Sequence, residues 1–260
     1  MRKSCISILT CLLFAALGPC PLNAESPTTK SRLIIMADMG NEPDEEQQMH
    51  HMLLNSNEFD LEGLIAVTGK YLRVGPRPDL FWRLIEGYEK VYPNLQKHAD
   101  GYSSPEYLTR IVASGQPACG ILSTGVHMSN STGKELIIEA ATNGDPRPIW
   151  VVVNAGSNTL AQALISYQRK STPEEFAKFL AKFRVFENGS QDNAGAWICA
   201  NFSDIHWIRS NHQTYCYGGP NSRTSPDMGP NVWEPYEKSF LGQHHWLLEH
   251  VIADHGPFGN

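Results

Sequence analysis

A chain of 260 residues, 41% hydrophobic and 18% charged, suits one domain with a sizeable core rather than a disordered or fibrous chain. Its formal net charge of −6 argues against a nucleic acid polymer as partner, since such binding is carried by cations that neutralise phosphates. Of six cysteines, Cys5, Cys11 and Cys20 lie near the start and only Cys119, Cys199 and Cys216 beyond. That odd remainder, with no CxxC pair, argues against a disulfide framework and a structural zinc site.

Met1-Arg2-Lys3 precedes a mostly apolar run from Ile6 to Gly18, and Leu22-Asn23-Ala24 ends on a small residue. The run is too short to span a bilayer as a mature helix, and the pattern is that of a cleavable signal peptide. Residues 1–24 are therefore expected to be removed, leaving a secreted or periplasmic protein with no membrane attachment. Loss of Arg2 and Lys3 takes the formal charge from −6 to −8. Residues 25–31 read as a polar linker, and residues 32–260 as one domain.

Leu33-Ile34-Ile35-Met36-Ala37 is a short apolar run, the mark of a buried strand, and Asp38 to Glu46 follows it. Pro43 fits a first helical turn, and carboxylates there complement the helix dipole. That helix is expected to reach about Asn55. A strand is expected over Leu61–Thr68, a helix over 78–92, and a short helix opening at Ser104-Pro105-Glu106. Lys134–Thr142 reads as helix and Ile149–Val153 as strand. A helix is expected from Thr159 to about Arg169, and another opening at Thr172-Pro173-Glu174-Glu175. Strands are expected at Arg184–Glu187 and Ile205–Ile208, and a helix at Gln243–Ala253. Residues 211–235 read as a long loop with aromatic residues, of a kind that is usually functional or an insertion. Strands alternating with helices give an α/β class: a mostly parallel central sheet flanked by helices.

In such a sheet, ligands sit at the carboxyl ends of the strands. Asp38, Glu42, Asp44 and Glu45 gather there within eight residues. Like charges this close raise one another's pKa unless a cation joins them, and hard oxygen ligands at a turn suit Ca²⁺, or less well Mg²⁺. The plainer reading makes Glu42 to Glu46 a charged first helical turn. It leaves Asp38 unexplained, because that residue ends an apolar strand.

The string Asp38-Met39-Gly40-Asn41-Glu42-Pro43-Asp44-Glu45, followed by Asn57 to Ile65, resembles the amino-terminal signature of inosine–uridine nucleoside hydrolases. It is closer still to the nucleoside-hydrolase-like domain of the bacterial cellulose-binding protein family. The likeness continues through Tyr88 to Leu95, Asp145-Pro146-Arg147-Pro148, Asn158 to Leu164, Gln191 to Trp197 and His255 to Gly259. It covers about residues 32 to 260.

The resemblance implies a nucleoside-hydrolase-like fold, a Ca²⁺ cofactor and cleavage of N-glycosyl bonds. It makes Asp38 a calcium ligand and the catalytic base, Glu45 the second ligand, and Asn154 a donor of its backbone carbonyl. It places Asp44, Gln191 and Asp192 on the sugar. From the residues alone, Asn154 reads equally as part of a helix-opening turn, and Gln191-Asp192 as an Asx-type cap for the helix holding Trp197. His255, beside Gly256-Pro257, is a candidate to line the pocket and protonate a leaving group, set against an ordinary loop histidine.

Three departures stand out. Met36 occupies a position where the hydrolases carry an acid, two residues are inserted before the acid pair, and that pair is Asp-Glu rather than Asp-Asp. The family's last calcium-site aspartate lies beyond the His-Gly-Pro-Phe-Gly stretch, so the domain is expected to be incomplete at its C-terminal end.

Other chemistries fare worse. His245 and His250 sit five apart, about 140° around a helix, which is wrong for a zinc-protease pair. Ser123 and Ser157 lack the GxSxG setting of a serine hydrolase. Two functions remain: a hydrolase of a nucleoside or related glycoside, or a catalytically inactive carbohydrate- or cellulose-binding protein on the same fold.

Overall fold

The computed structural model describes residues 29–40, 44–124, 130–210, 249, 253, 254 and 256. Among them, six strands form one parallel sheet: β1 (Ser31–Ala37), β2 (Phe59–Ala66), β3 (Val112–Ser114), β4 (Ile149–Val153), β5 (Phe183–Asn188) and β6 (His206–Ser210). Their spatial order is β3-β2-β1-β4-β5-β6, and every neighbouring pair is parallel. The order reverses direction between β1 and β4, so a crevice opens at the carboxyl ends of those two strands.

The helices are α1 (Asp44–Leu54), α2 (Pro78–Leu95), α3 (Pro105–Arg110), α4 (Thr132–Thr142), α5 (Asn158–Gln168), α6 (Pro173–Leu180) and α7 (Ala194–Asn201). They cover both faces of the sheet, as parallel strands require. One core layer packs Ile34, Met36, Val151, Val153 and Val185 against α4 to α7. The other packs Leu33, Ile35, Leu61 and Leu64 against Met49, Phe81, Leu84 and Tyr88 of α1 and α2. Alternate residues of β1 thus serve opposite layers, which is why its sequence is continuously apolar.

Local signals set the helix starts. The Ser104 side chain accepts from Tyr107 N at 3.2 Å, with Pro105 at the first helical position. Thr172 and Glu175 form a reciprocal capping box ahead of α6. α2 runs three residues beyond its expected end, because Pro93 sits inside the last turn without breaking it. β2 begins and ends two residues earlier than expected, and β6 begins one residue later and ends two residues later. β3, three residues long, was not expected at all. The expected loop at 211–235 and almost all of the expected helix at 243–253 lie outside the described residues, as do the leader and residues 25–28 of the linker; Ser31, expected in the linker, already belongs to β1.

The amino edge of the sheet is tied by one buried cation. The Arg32 side chain is 0% exposed. It donates to both oxygens of Glu62, to Arg147 O at 3.0 Å, to Ala140 O at 2.6 Å and to Asn143 Oδ1 at 3.3 Å. This leaves the carboxyl edge free to carry other chemistry. No helix among the described residues is long and apolar enough to cross a membrane.

Candidate functional site

Asp38 is the first residue past β1 and is 4% exposed. Its Oδ2 is buried and has no hydrogen-bond partner. Burial pushes its pKa up to about 6, and the Asp44 charge adds to this. The Glu45 carboxyl and the N–H groups of Asp38 and Leu72 pull the other way, yet none completes a bond to Oδ2. Glu45, at the start of α1, is also 4% exposed. Burial drives its pKa to about 10, with Asp44 and Asp38 contributing, so it holds a proton at neutral pH. Asp44 is half-buried and keeps Oδ1 enclosed and unpartnered. The acid loop is therefore more than a solvated helical turn: α1 turns two of its acids inward toward Asp38. Glu42 lies outside the described residues.

Asn154 stands across the crevice, at the end of β4. Its backbone N–H donates to Met36 O at 2.9 Å, closing the ladder between β4 and β1. Its side-chain amide donates to Gln48 Oε1 of α1. Its backbone carbonyl accepts from Gln191 Nε2 at 2.5 Å. Gln191 Oε1 in turn accepts from Lys70 N at 3.4 Å.

Two glycines hold these groups together. A Cβ on Gly69 would lie 2.3 Å from Asp38 Oδ2 and 2.9 Å from Gln191 Oε1, so both side chains converge on the bare backbone of that residue. A Cβ on Gly156 would lie 2.5 Å from Thr68 O and 2.6 Å from Asp192 Oδ2. Only the absence of side chains lets the turns after β2 and β4 come this close.

Asp192 takes up the cap read from the sequence. Its Oδ1 accepts from Ala194 N at 2.9 Å and Ser157 N at 3.1 Å, capping α7 as an Asx-type turn would. Its Oδ2 stays buried without a partner, and burial raises its pKa. The structure thus brings Asp38, Asp44, Glu45, Asn154 and Gln191 to one crevice, with Asp192 on the adjoining Thr68–Gly156 contact. His255 lies outside the described residues.

Sequence reasoning missed Thr68, whose buried hydroxyl has no partner, as well as Gly69, Gly156 and Glu187. Glu187, at the carboxyl end of β5, is 0% exposed. It accepts from Ser157 Oγ at 3.0 Å, Ser190 Oγ at 3.2 Å, Trp207 Nε1 at 3.2 Å and Arg209 Nε at 2.5 Å. It anchors the loop that carries Gln191 and Asp192. A glycine following a strand, as in Thr68-Gly69, was the available signal for the first two.

The donor set is all oxygen, and an orphaned Asp38 oxygen beside a second carboxyl is what a hard cation satisfies. Asp38 Oδ2 and the Glu45 carboxyl are oxygens of the type a calcium shell of six to eight takes, while the Asn154 carbonyl already accepts from Gln191 Nε2. Among the described residues, no three His, Cys, Asp or Glu side chains are arranged as a ready-made metal site.

The pattern of one family, described as cellulose-binding Sde182, nucleoside hydrolase-like domain, matches residues 32–260. The chain belongs to this family. Its structure is similar to that of a nucleoside hydrolase-related hypothetical protein from Saccharophagus degradans, described as associated with carbohydrate metabolism. The two share 32% identity with a TM-score of 0.74, over 89% of this chain. The chain spans half the length of that protein. No curated protein matches. Membership of the nucleoside hydrolase-like family agrees with the parallel α/β fold and with an acidic crevice at the switch point between β1 and β4.

Proposed function

We propose that this chain is an exported hydrolase of N-glycosyl bonds, in a nucleoside or related glycoside, with Asp38 as the base that takes a proton from the attacking water. The observation that carries this reading is the buried, unpartnered Oδ2 of Asp38, poised over the open backbone of Gly69. A base with a pKa near 6 is matched to work at neutral pH. In the reaction, the water oxygen bonds to the anomeric carbon as the N-glycosyl bond breaks. The water proton passes to Asp38, and the bonding pair leaves with the nitrogen, which is protonated from solvent.

Asp44 and the free oxygen of Asp192 would accept from sugar hydroxyls, and Gln191 would offer its amide beside Asn154. Carboxylates here also stabilise positive charge developing on the sugar. Asp38, Glu45 and the Asn154 carbonyl would hold Ca²⁺, which when bound lowers the pKa of a coordinated water. The leader at residues 1–24 would direct the chain to the periplasm or outside.

A second reading is a saccharide-binding protein without turnover. It is supported by the family's description as cellulose-binding and by the Gln191 amide already closed on the Asn154 carbonyl. Turnover of p-nitrophenyl riboside with Ca²⁺, compared between wild type and Asp38→Ala, separates the two. Turnover lost in the variant supports the hydrolase. Saccharide binding without turnover, unaffected by Asp38→Ala, supports the binding protein.

A further inference from the structure

At the opposite edge of the sheet, an open cleft of about 540 Å³ lies between the amino ends of β1, β2 and β4, α3 and the end of α4. The length of β1 separates it from Asp38 by about 20 Å. Its size falls within the range of small-molecule pockets, roughly 300–1,000 Å³. Its charged lining is balanced, with Lys30, Arg110 and Arg147 against Asp60, Glu62 and Glu139. A balanced site does not select for a net charge on its ligand, which favours a neutral, polar molecule over a nucleotide or other polyanion.

The recognition groups are planar and held in place. Arg147 donates to Asp60 Oδ2 at 2.6 Å and to Lys30 O at 2.7 Å, and Glu62 is clamped by Arg32. Tyr107 is half-buried, with its hydroxyl fixed on Leu61 O at 2.6 Å. The Arg110 guanidinium lies 5.8 Å from its ring centroid. Phe59 adds a second half-buried aromatic ring. Side chains already locked by such bonds lose little entropy when a ligand arrives. Flat polar groups beside aromatic rings match a sugar, which offers hydroxyls at its edge and apolar C–H groups on its faces.

We propose that this amino-edge cleft is a saccharide-binding site, distinct from the carboxyl-edge site, for a short neutral oligosaccharide. In its ligand class it rests on the saccharide-binding reading above; its location is independent of that reading. The test is calorimetric titration of the whole protein with cellotetraose. Arg110→Ala and Glu139→Gln, both at exposed positions, are each expected to weaken binding roughly tenfold, the effect of one lost hydrogen bond to a charged group. Asp38→Asn and Gln191→Ala are expected to leave it within about twofold. Binding lost in Gln191→Ala but kept in Arg110→Ala and Glu139→Gln would overturn the location while keeping the ligand class. No binding of cellotetraose by wild type would overturn both.

Discussion

Replacing Asp38 by asparagine removes a charge and keeps the shape, so it isolates what it costs to ionise an acid in the crevice. Burial and the Asp44 charge carry this carboxyl from 3.8 to about 6, a difference equivalent to about 3 kcal/mol. The folded pKa lies above the unfolded one, so the folded chain holds the proton more tightly. Stability from this group is fully present below about pH 4 and is lost as pH rises through about 6. At pH 8, with a chelator present, the wild type carries the whole penalty and Asp38→Asn carries none. The variant should then be the more stable by up to about 3 kcal/mol, a rise in Tm of roughly 6–12 °C for a domain of this size. At pH 4 the gap should shrink below about 1 kcal/mol. Thermal melts by circular dichroism at both pH values read this directly, with urea midpoints as a second measure. A variant equal to or weaker than wild type at pH 8, or a gap independent of pH, would refute the reasoning.

Two further substitutions probe the frame and the cradle. Arg32→Ala should cost about 3–5 kcal/mol, because it leaves Glu62 and two backbone carbonyls without their buried donor; a urea midpoint that scarcely moves would contradict the clamp. Gly69→Ala places a methyl 2.3 Å from Asp38 Oδ2, so Ca²⁺ affinity should fall at least about tenfold. Its circular dichroism spectrum should stay that of wild type, and unchanged affinity would mean that the cradle does not face the ion.

The parts of the fold legible in the sequence were those whose causes are local. β1 and β4 appear as apolar runs because parallel strands bury both faces, and α3 and α6 announce themselves through Ser104-Pro105 and Thr172-Pro173. Asp38 was legible because an acid closing an apolar strand has no solvated explanation. β3 was not, since three residues give no period to read. Thr68, Gly69 and Gly156 were hidden for another reason: their part in the site comes from contacts between turns far apart in the chain. Glu187 fell inside an expected strand, but its role depends on Ser157, ahead of α5, and on Trp207 and Arg209 of β6 arriving from two other segments. Asp192 shows both limits, since the helix cap followed from its spacing and the orphaned oxygen did not.

Calorimetric titration with Ca²⁺ at pH 7.5, repeated in buffers of different ionisation enthalpy, bears most directly on the acid crevice. Glu45 holds a proton at that pH in the metal-free chain, its pKa near 10, and a bound cation must expel it. The expected result is a single Ca²⁺ per chain with about one proton released, and no such heat in Asp38→Asn or Glu45→Gln. Absence of binding in the wild type, or binding that survives both substitutions without proton release, would contradict a cation site at the end of β1.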